Sequence, residues 1–495
     1  MKMQPFAFRS AALLFLVMFL FVNEISCNFL KQKKLYEFET KLLHKASEAA
    51  AAPTPSTSPK SFGRVFYPIG YGADPTGVHD SSDAILKTME AAIASEKQGL
   101  QLMPGITDMG GVLIDLQGGS FKINKPIRLP AYTGNLVMQG GTFRASESFP
   151  TDRHLVELWS PHSVKLDDLE VANLDGFSDQ KVQANGIYYE AITFRDILFD
   201  SAFRGGGIFV VDSARIRIVD CFFLHFKTQG IQVQKGHETF ISTCFLGEHP
   251  TVGGDKGERN FEGTAIDLAS NDNAVTDVAI FSAAVGITLR GPANMITGVH
   301  CYNKATFFGG VGILVKSGQT RIDNSYLDYN SIIIEDPSQV HVTNGFFLGE
   351  GNVVLKAIRG KISGLTIVDN MFTGNAKSSK PTISLDGKFT DIDQVVIAQN
   401  TVNGMRLKST VAKMVVAAKG KKWTADFSSL LVFPNQINHV QYSVYLPGSA
   451  GKIAGHALTK IADNVVVVES EKEVTGFISV EVDQYNMAEE KNLFI

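Results

Sequence analysis

The sequence predicts an all-β protein: a right-handed parallel β-helix with an N-terminal capping helix and a C-terminal β-sandwich-like domain. Two observations carry the solenoid. First, a short phrase recurs, a small residue followed by Ile and alternating apolar positions. It reads Gly186-Ile187-Tyr188-Tyr189, Gly207-Ile208-Phe209-Val210, Gly230-Ile231-Gln232-Val233, Ala265-Ile266-Asp267-Leu268, Gly286-Ile287-Thr288-Leu289 and Gly312-Ile313-Leu314-Val315. Second, the Ile numbers differ by 21, 23, 35, 21 and 26 residues, the period of a strand-built coil stacked on copies of itself. Within each unit the alternation has period two, which a helical solenoid would not show.

The elements follow in chain order. Lys2 and Arg9 precede the apolar stretch Ala11 to Val22, and Asn23 to Cys27 close it with polar and small residues. That pattern is a secretory signal peptide over residues 1–27, too short to span a bilayer. Residues 28–61 form an N-terminal segment, helical and charged over 31–50, ending in the linker AAAAPTPSTSPK (49–60). The β-helix domain is assigned to 62–400. It opens with the turn-rich run Tyr71-Gly72-Ala73-Asp74-Pro75-Thr76-Gly77, and Asp80-Ser81-Ser82-Asp83 supply N-cap residues for a helix over 84–95 that covers the open end of the solenoid. Insertions at 247–262 and 303–310 account for the two long steps, and loops projecting from a regular scaffold are where binding tends to sit. Residues 401–495 form the C-terminal domain, with strands expected at 414–418, 430–433, 441–445, 464–470 and 476–482.

Bulk properties narrow the function. The chain has 495 residues, 44% hydrophobic and 19% charged, which suits a large core. A net charge of -4 gives no nucleic-acid footprint. No apolar segment after the signal is long enough to cross a membrane, so a secreted, extracellular monomer is expected. Of four cysteines, Cys27 goes with the signal; Cys221 and Cys244 lie one coil step apart and form either a disulfide or two stacked thiols, leaving Cys301 unpaired. No Cys or His spacing for a metal occurs, and no cofactor is expected.

Alternation also selects the outward side chains. With Ile266 and Leu268 inward, Asp267 faces out in a column with Tyr188, Phe209, Gln232, Thr288 and Leu314. Two residues on, a second column holds Glu190, Val211, Gln234, Ala269, Arg290 and Lys316. Glycoside hydrolysis needs two carboxyl groups, one to donate a proton and one to attack or activate water. Asp267 is the first choice; Asp272, in the turn Ser270-Asn271-Asp272-Asn273, or an insertion acid (Glu248, Asp255, Glu258 or Glu262) is the second. Arg290, Lys316, Gln232, Tyr188 and His249 are the candidate substrate-binding residues: cations for uronate carboxylates, a ring for a sugar face, polar groups for hydroxyls. Asp74, Asp80, Asp83, Asp212 and Asp220 read as turn, cap and corner residues.

The run YGADPTGVHDSSDAI, Tyr71 to Ile85, resembles the entry motif of secreted pectin-degrading β-helix enzymes and phage tailspike-like proteins. With the coil repeats and the segment GEHPTVGGDKGERNFEGTAIDLASNDN, the chain is similar to plant polygalacturonases of the quartet type, a divergent branch related to glycoside hydrolase family 28. The resemblance implies hydrolysis of pectic galacturonan in the plant cell wall, in pollen tetrad separation. It also exposes a departure. Where the wider family carries Asn-Thr-Asp, Asp-Asp and Gly-His-Gly, this chain has Arg204-Gly205-Gly206, Lys227-Thr228-Gln229 and Gly247-Glu248-His249. The paired aspartates are absent. A calcium-dependent pectate lyase and a non-catalytic wall-polysaccharide binder are therefore the alternatives.

Overall fold

The computed structural model describes residues 59–96, 99–161, 186–248, 262–302, 310–447 and 454–485. The signal segment, most of the linker, the greater part of the first insertion and most of the second lie outside them. Within the described residues, 34 strands join one sheet whose ladders are almost all parallel, as in a coil stacked on itself. The chain is a parallel β-helix.

Each coil contributes strands to three faces. The first face runs β1 (His154–Leu158), β2 (Gly206–Val211), β3 (Gln229–His237), β4 (Thr264–Asn271), β5 (Val285–Leu289), β6 (Val311–Val315), β7 (Ser331–Glu335), β8 (Asn352–Lys356) and β9 (Ile383–Asp386). Each pairs in parallel with the next. The recurring Ile residues stack in register at the centre: Ile208 against Ile231, then Ile266, Ile287 and Ile313, all fully buried. Such a column buries its side chains only when every coil places an apolar residue at the same step, which is why the phrase repeats. The small residue before each Ile has its own cause. A side chain at Gly207 would strike the carbonyl of Gly230 and the Phe223 ring on the neighbouring strands.

A second apolar column stands under the third face. Phe143, Phe199 and Phe223 stack there, the last two with centroids 4.7 Å apart and rings 7° from parallel. Phe347 and Phe372 repeat the arrangement at 4.4 Å near the far end. Helix α1 (Ser82–Ala94) turns Ile85, Met89 and Ala92 into the open end of this core. Asp80 accepts from the Ser82 amide and hydroxyl, and Asp74 ties its own turn through Thr76, Val78 and His79. These acids are structural, as their turn-rich setting suggested. Cys221, Cys244 and Cys301 are buried free thiols; the first two donate to the carbonyls of Val219 and Ser242.

The far end differs in detail from expectation. Thr401–Asn403 still pairs with the solenoid strand Met371–Thr373, so coils persist beyond residue 400. The C-terminal unit is one four-stranded antiparallel sheet: Val411–Asp426, His439–Tyr445, His456–Ala462 and Val465–Asp483. Its longest strand pairs with all three others, and it buries Trp423, Val466, Val468, Ile478 and Val480. The expected strand at 430–433 is not one. Leu431 makes a single bridge to Ser409, while Val432 and Phe433 turn into the solenoid core and close it.

Candidate active site

Register fixes which side chains meet on the outer surface of the first face. One column reads Glu157, Phe209, Gln232, Asp267, Thr288 and Leu314 through successive in-register pairs. Asp267 thus stands between Gln232 and Thr288, with neighbouring strands about 4.8 Å away on either side. Its surroundings are tighter than a freely solvated surface acid. Asp267 is only 8% exposed, and Arg290 grips it bidentately, Nε to Oδ1 at 2.8 Å and a terminal nitrogen to Oδ2 at 2.7 Å. Burial raises the Asp267 carboxyl above the ordinary aspartate value, and the charges of Arg290 and Lys316 only partly oppose it.

Arg290 was expected to reach for substrate. Its guanidinium is instead committed to Asp267, although its side chain stays 39% exposed, so one edge can still face a ligand. Lys316 is exposed on the next coil, its backbone amide donating to the Leu289 carbonyl; among the described residues its ammonium makes no ion pair or hydrogen bond, and its charge acts on Asp267 through space.

Several expected members stand elsewhere. Tyr188 is buried at 2% and packs edge-on against Tyr132. Gly186–Tyr189 is not the coil below β2, because β1 occupies that position. The strand beginning at Tyr189 pairs with Ser213 on the adjacent ladder, which carries Glu190 round the corner to an ion pair with Arg215. Asp272 is exposed at the corner after β4, at φ 57°, where it accepts from Asn271. It does not share the strand surface with Asp267, and left-handed backbone at a corner suits a short polar side chain. His249, Asp255 and Glu258 lie outside the described residues.

The position assigned to Tyr188 belongs to Glu157, which the reading from sequence missed. Glu157 is 1% exposed, takes two bonds from Arg153 (2.8 and 2.5 Å) and one from Trp159 Nε1 at 2.8 Å. Burial alone would raise its carboxyl, but Arg153 and Trp159 outweigh it and hold it low. Beside it Arg128 covers the Trp159 ring at 3.5 Å, and Trp159, Phe209 and Val211 form a small buried apolar cluster outside the main core. His154 stacks on Phe209 at 5.4 Å, and burial pushes its ring down to about 4. Nothing in the phrase pattern flags this coil, because His154-Leu155-Val156-Glu157 lacks the Gly-Ile opening.

At the entry edge of the face, Lys227 Nζ sits 2.9 Å from Glu248 and 3.9 Å from Glu262. Glu248 is buried and Glu262 largely exposed. Next to them Asp200 holds His225 Nδ1 at 2.7 Å and Arg144 at 2.8 Å, and the Phe203 ring packs on His225. Glu248 and Glu262 are two of the insertion acids considered above for a second carboxyl. Among the described residues, no group of three or more His, Cys, Asp or Glu is placed to hold a metal ion.

The fold and this face together define a parallel β-helix protein with a long outward strand surface bearing two desolvated carboxyls, Glu157 and Asp267, and flanking cations. No family model matches the chain. Over 460 residues it is 47% identical to the Arabidopsis thaliana protein Polygalacturonase QRT3, with 91% of each chain covered. The chain belongs to the polygalacturonase family, in its quartet-type branch. Among solved structures it is similar to Geobacillus virus E2 ORF18 (TM-score 0.47, 11% identity, 83% of this chain and 77% of that one). It is also similar to the tailspike of E. coli bacteriophage HK620 in complex with a hexasaccharide (TM-score 0.46, 9% identity, 85% and 93%). No helix among the described residues is long and apolar enough to cross a membrane.

Proposed function

We propose that this protein is a secreted plant cell-wall hydrolase that cleaves α-1,4-galacturonan, the demethylated backbone of pectin, with the polymer lying along the outer surface of the first face. The observation that carries the proposal is Asp267: an outward strand position, nearly desolvated, with its carboxyl raised above the ordinary value although Arg290 holds both oxygens. Raised carboxyls suit proton transfer at mildly acidic to neutral pH. Arg290 fixes the carboxyl's orientation, and Lys316 offers a free ammonium to a uronate carboxylate. Gln232 and Thr288, directly above and below Asp267, supply groups for sugar hydroxyls. The second carboxyl comes from the entry edge, where Glu262 is open to solvent. Secretion rests on the N-terminal signal pattern, and a role in pollen tetrad separation rests on the family.

One observation favours a second reading. Both Asp267 oxygens are occupied and no other carboxyl shares its column between Glu157 and Leu314, which would suit a protein that binds wall polysaccharide without cutting it. Incubation with polygalacturonic acid, with and without a calcium chelator, separates the readings. New reducing ends without unsaturated product support the hydrolase. Chelator-sensitive unsaturated product would make it a lyase, and bound but uncut polymer would make it a binder.

A further inference from the structure

Around the exit edge of the first face, the next strands of each coil (Met295–Thr297, Thr320–Asp323 and Ser338–Thr343) form a second face, which carries a shallow, open cavity of about 360 Å³ lined by two columns of side chains. A corner column holds Ala293, Gln319 and Gln339, each with left-handed backbone. Two residues on, a strand column holds Met295, Arg321 and His341, paired in register on successive coils. The left-handed corners swing the two Gln side chains outward beside the strand column. Gln319, Gln339, Arg321 and His341 are all exposed, and Met295 is 52% exposed. Their polar groups are largely uncommitted. Arg321 has one loose contact, 3.7 Å to Asp323, while the side chains of Gln319, Gln339 and His341 have no partner among the described residues.

We propose that this cavity is a second saccharide subsite, one that binds a uronate-bearing segment of the polymer held on the first face. Donors share this shallow surface with one exposed apolar side chain, a composition that suits a polar, anionic, ring-shaped ligand lying across it. Guanidinium and amide groups match a sugar carboxylate and its hydroxyls, and the Met295 side chain meets the less polar ring edge. Place supports the same ligand. Lys316 and Arg321 lie five residues apart on one coil, as do Arg290 and Met295 on the coil before. Lys316 and this cavity therefore flank the same corner of one coil. The inference rests on the galacturonan reading for its ligand class, and goes beyond it in adding a site on a different face.

The test is affinity electrophoresis of the full secreted chain through gels containing polygalacturonate, with dextran gels as the neutral control. The parent is compared with Arg321→Gln/His341→Gln, alongside reducing-end release from trigalacturonate. All substituted side chains are exposed, and coincident thermal unfolding verifies the fold. The expected result is retardation of the double variant weakened on the order of fivefold, as for a lost exposed ion pair, with trigalacturonate cleavage unchanged. Equal retardation of parent and double variant overturns the second subsite and leaves the hydrolase reading untouched. A parent that polygalacturonate does not retard overturns the second subsite, and trigalacturonate cleavage then decides the hydrolase reading by itself. A parent retarded by polygalacturonate that cuts nothing overturns only the hydrolase, and the subsite then stands or falls on the difference in retardation.

Discussion

Exchanging Arg290 for Gln and Asp267 for Asn should separate what the pair does for stability from what it does for catalysis. Arg290→Gln leaves the Asp267 side chain, 11% exposed, without its bidentate partner. Stripping one member from a fully buried pair costs about 3–5 kcal/mol. Because Arg290 is 39% exposed, water can enter where it stood, so about 2 kcal/mol is expected here. Asp267→Asn removes the charge but keeps the shape and one acceptor, and the partly exposed guanidinium is resolvated, so about 1 kcal/mol is expected. Activity should rank the other way. Asp267→Asn removes the proposed proton-transfer group and should lower kcat on polygalacturonate by about 10²–10⁴-fold. Arg290→Gln keeps the carboxyl but removes the charge that restrains its upward shift. The limb of the pH–rate profile that reports Asp267 should therefore move to higher pH, whether the group acts as acid or base. Chemical denaturation and a pH series of reducing-end assays measure both quantities. A merely structural ion pair would lower stability without moving that limb. Asp267→Asn retaining kcat within about threefold of the parent would refute the assignment.

Further outcomes follow from the same structure. Asp212, half-buried at a corner with φ 46°, has its carboxyl pushed up by burial from 3.8 to about 6. Its protonated form is favoured by folding, so the stability it contributes is present below pH 3.8 and lost as pH rises through 6. The full shift corresponds to about 3 kcal/mol, which partial exposure cuts to about 1. Asp212→Asn, which tolerates that backbone, should be about 1 kcal/mol more stable than the parent in denaturant at pH 7.5 and equal to it at pH 3.5. Phe223→Ala breaks the buried ring stack with Phe199 and should cost about 4 kcal/mol, read as a shift in denaturation midpoint. Gly205 has φ 61°, and a side chain there would run into the carbonyl of Arg153. Gly205→Ala should cost about 2 kcal/mol or more and reduce secretion yield. Cys221, Cys244 and Cys301 should resist a thiol reagent in the native protein and react once it is unfolded; a native Cys221–Cys244 disulfide would leave only Cys301 reactive after unfolding.

Legibility from sequence tracked the periodicity of the core. The column from Ile208 to Ile313 repeats because each coil must bury one side chain at the same step, so spacing alone located those strands and placed Asp267 outward. The same logic failed at Gly186-Ile187, where the phrase recurs by chance of composition. Tyr188 is core there, and the true coil carries the unmarked His154–Leu158. Side-chain pairing was equally invisible. Alternation placed Arg290 near Asp267 but could not say whether its guanidinium would turn back to the carboxylate or out to a ligand. That choice depends on a backbone path set by the corner after β5. Leu430–Phe433 was misread for a related reason: an apolar run serves as well for a plug over the end of a solenoid as for a strand.

The substitutions at the entry edge bear on how this branch of the family works. Paired aspartates work because two like charges held close force their carboxyl pKa values apart, making one an acid and the other a base. Here the edge carries Lys227 between Glu248 and Glu262, so the two carboxylates share one cation instead of facing each other alone. A cation shared in this way opposes the mutual repulsion on which a close acid pair depends. A protonated carboxyl must then come from desolvation, and Asp267 is the residue on this face where burial outweighs the neighbouring cations. The two devices give different pH behaviour. Repulsion within a close pair yields two coupled limbs that move together when either acid is changed. A carboxyl set by its own burial yields a limb that answers to Asp267 and Arg290 alone. Lys227→Met should therefore leave that limb in place. Movement of the limb in that variant would show that Asp267 is coupled to the entry edge and that the desolvated single acid is the wrong model.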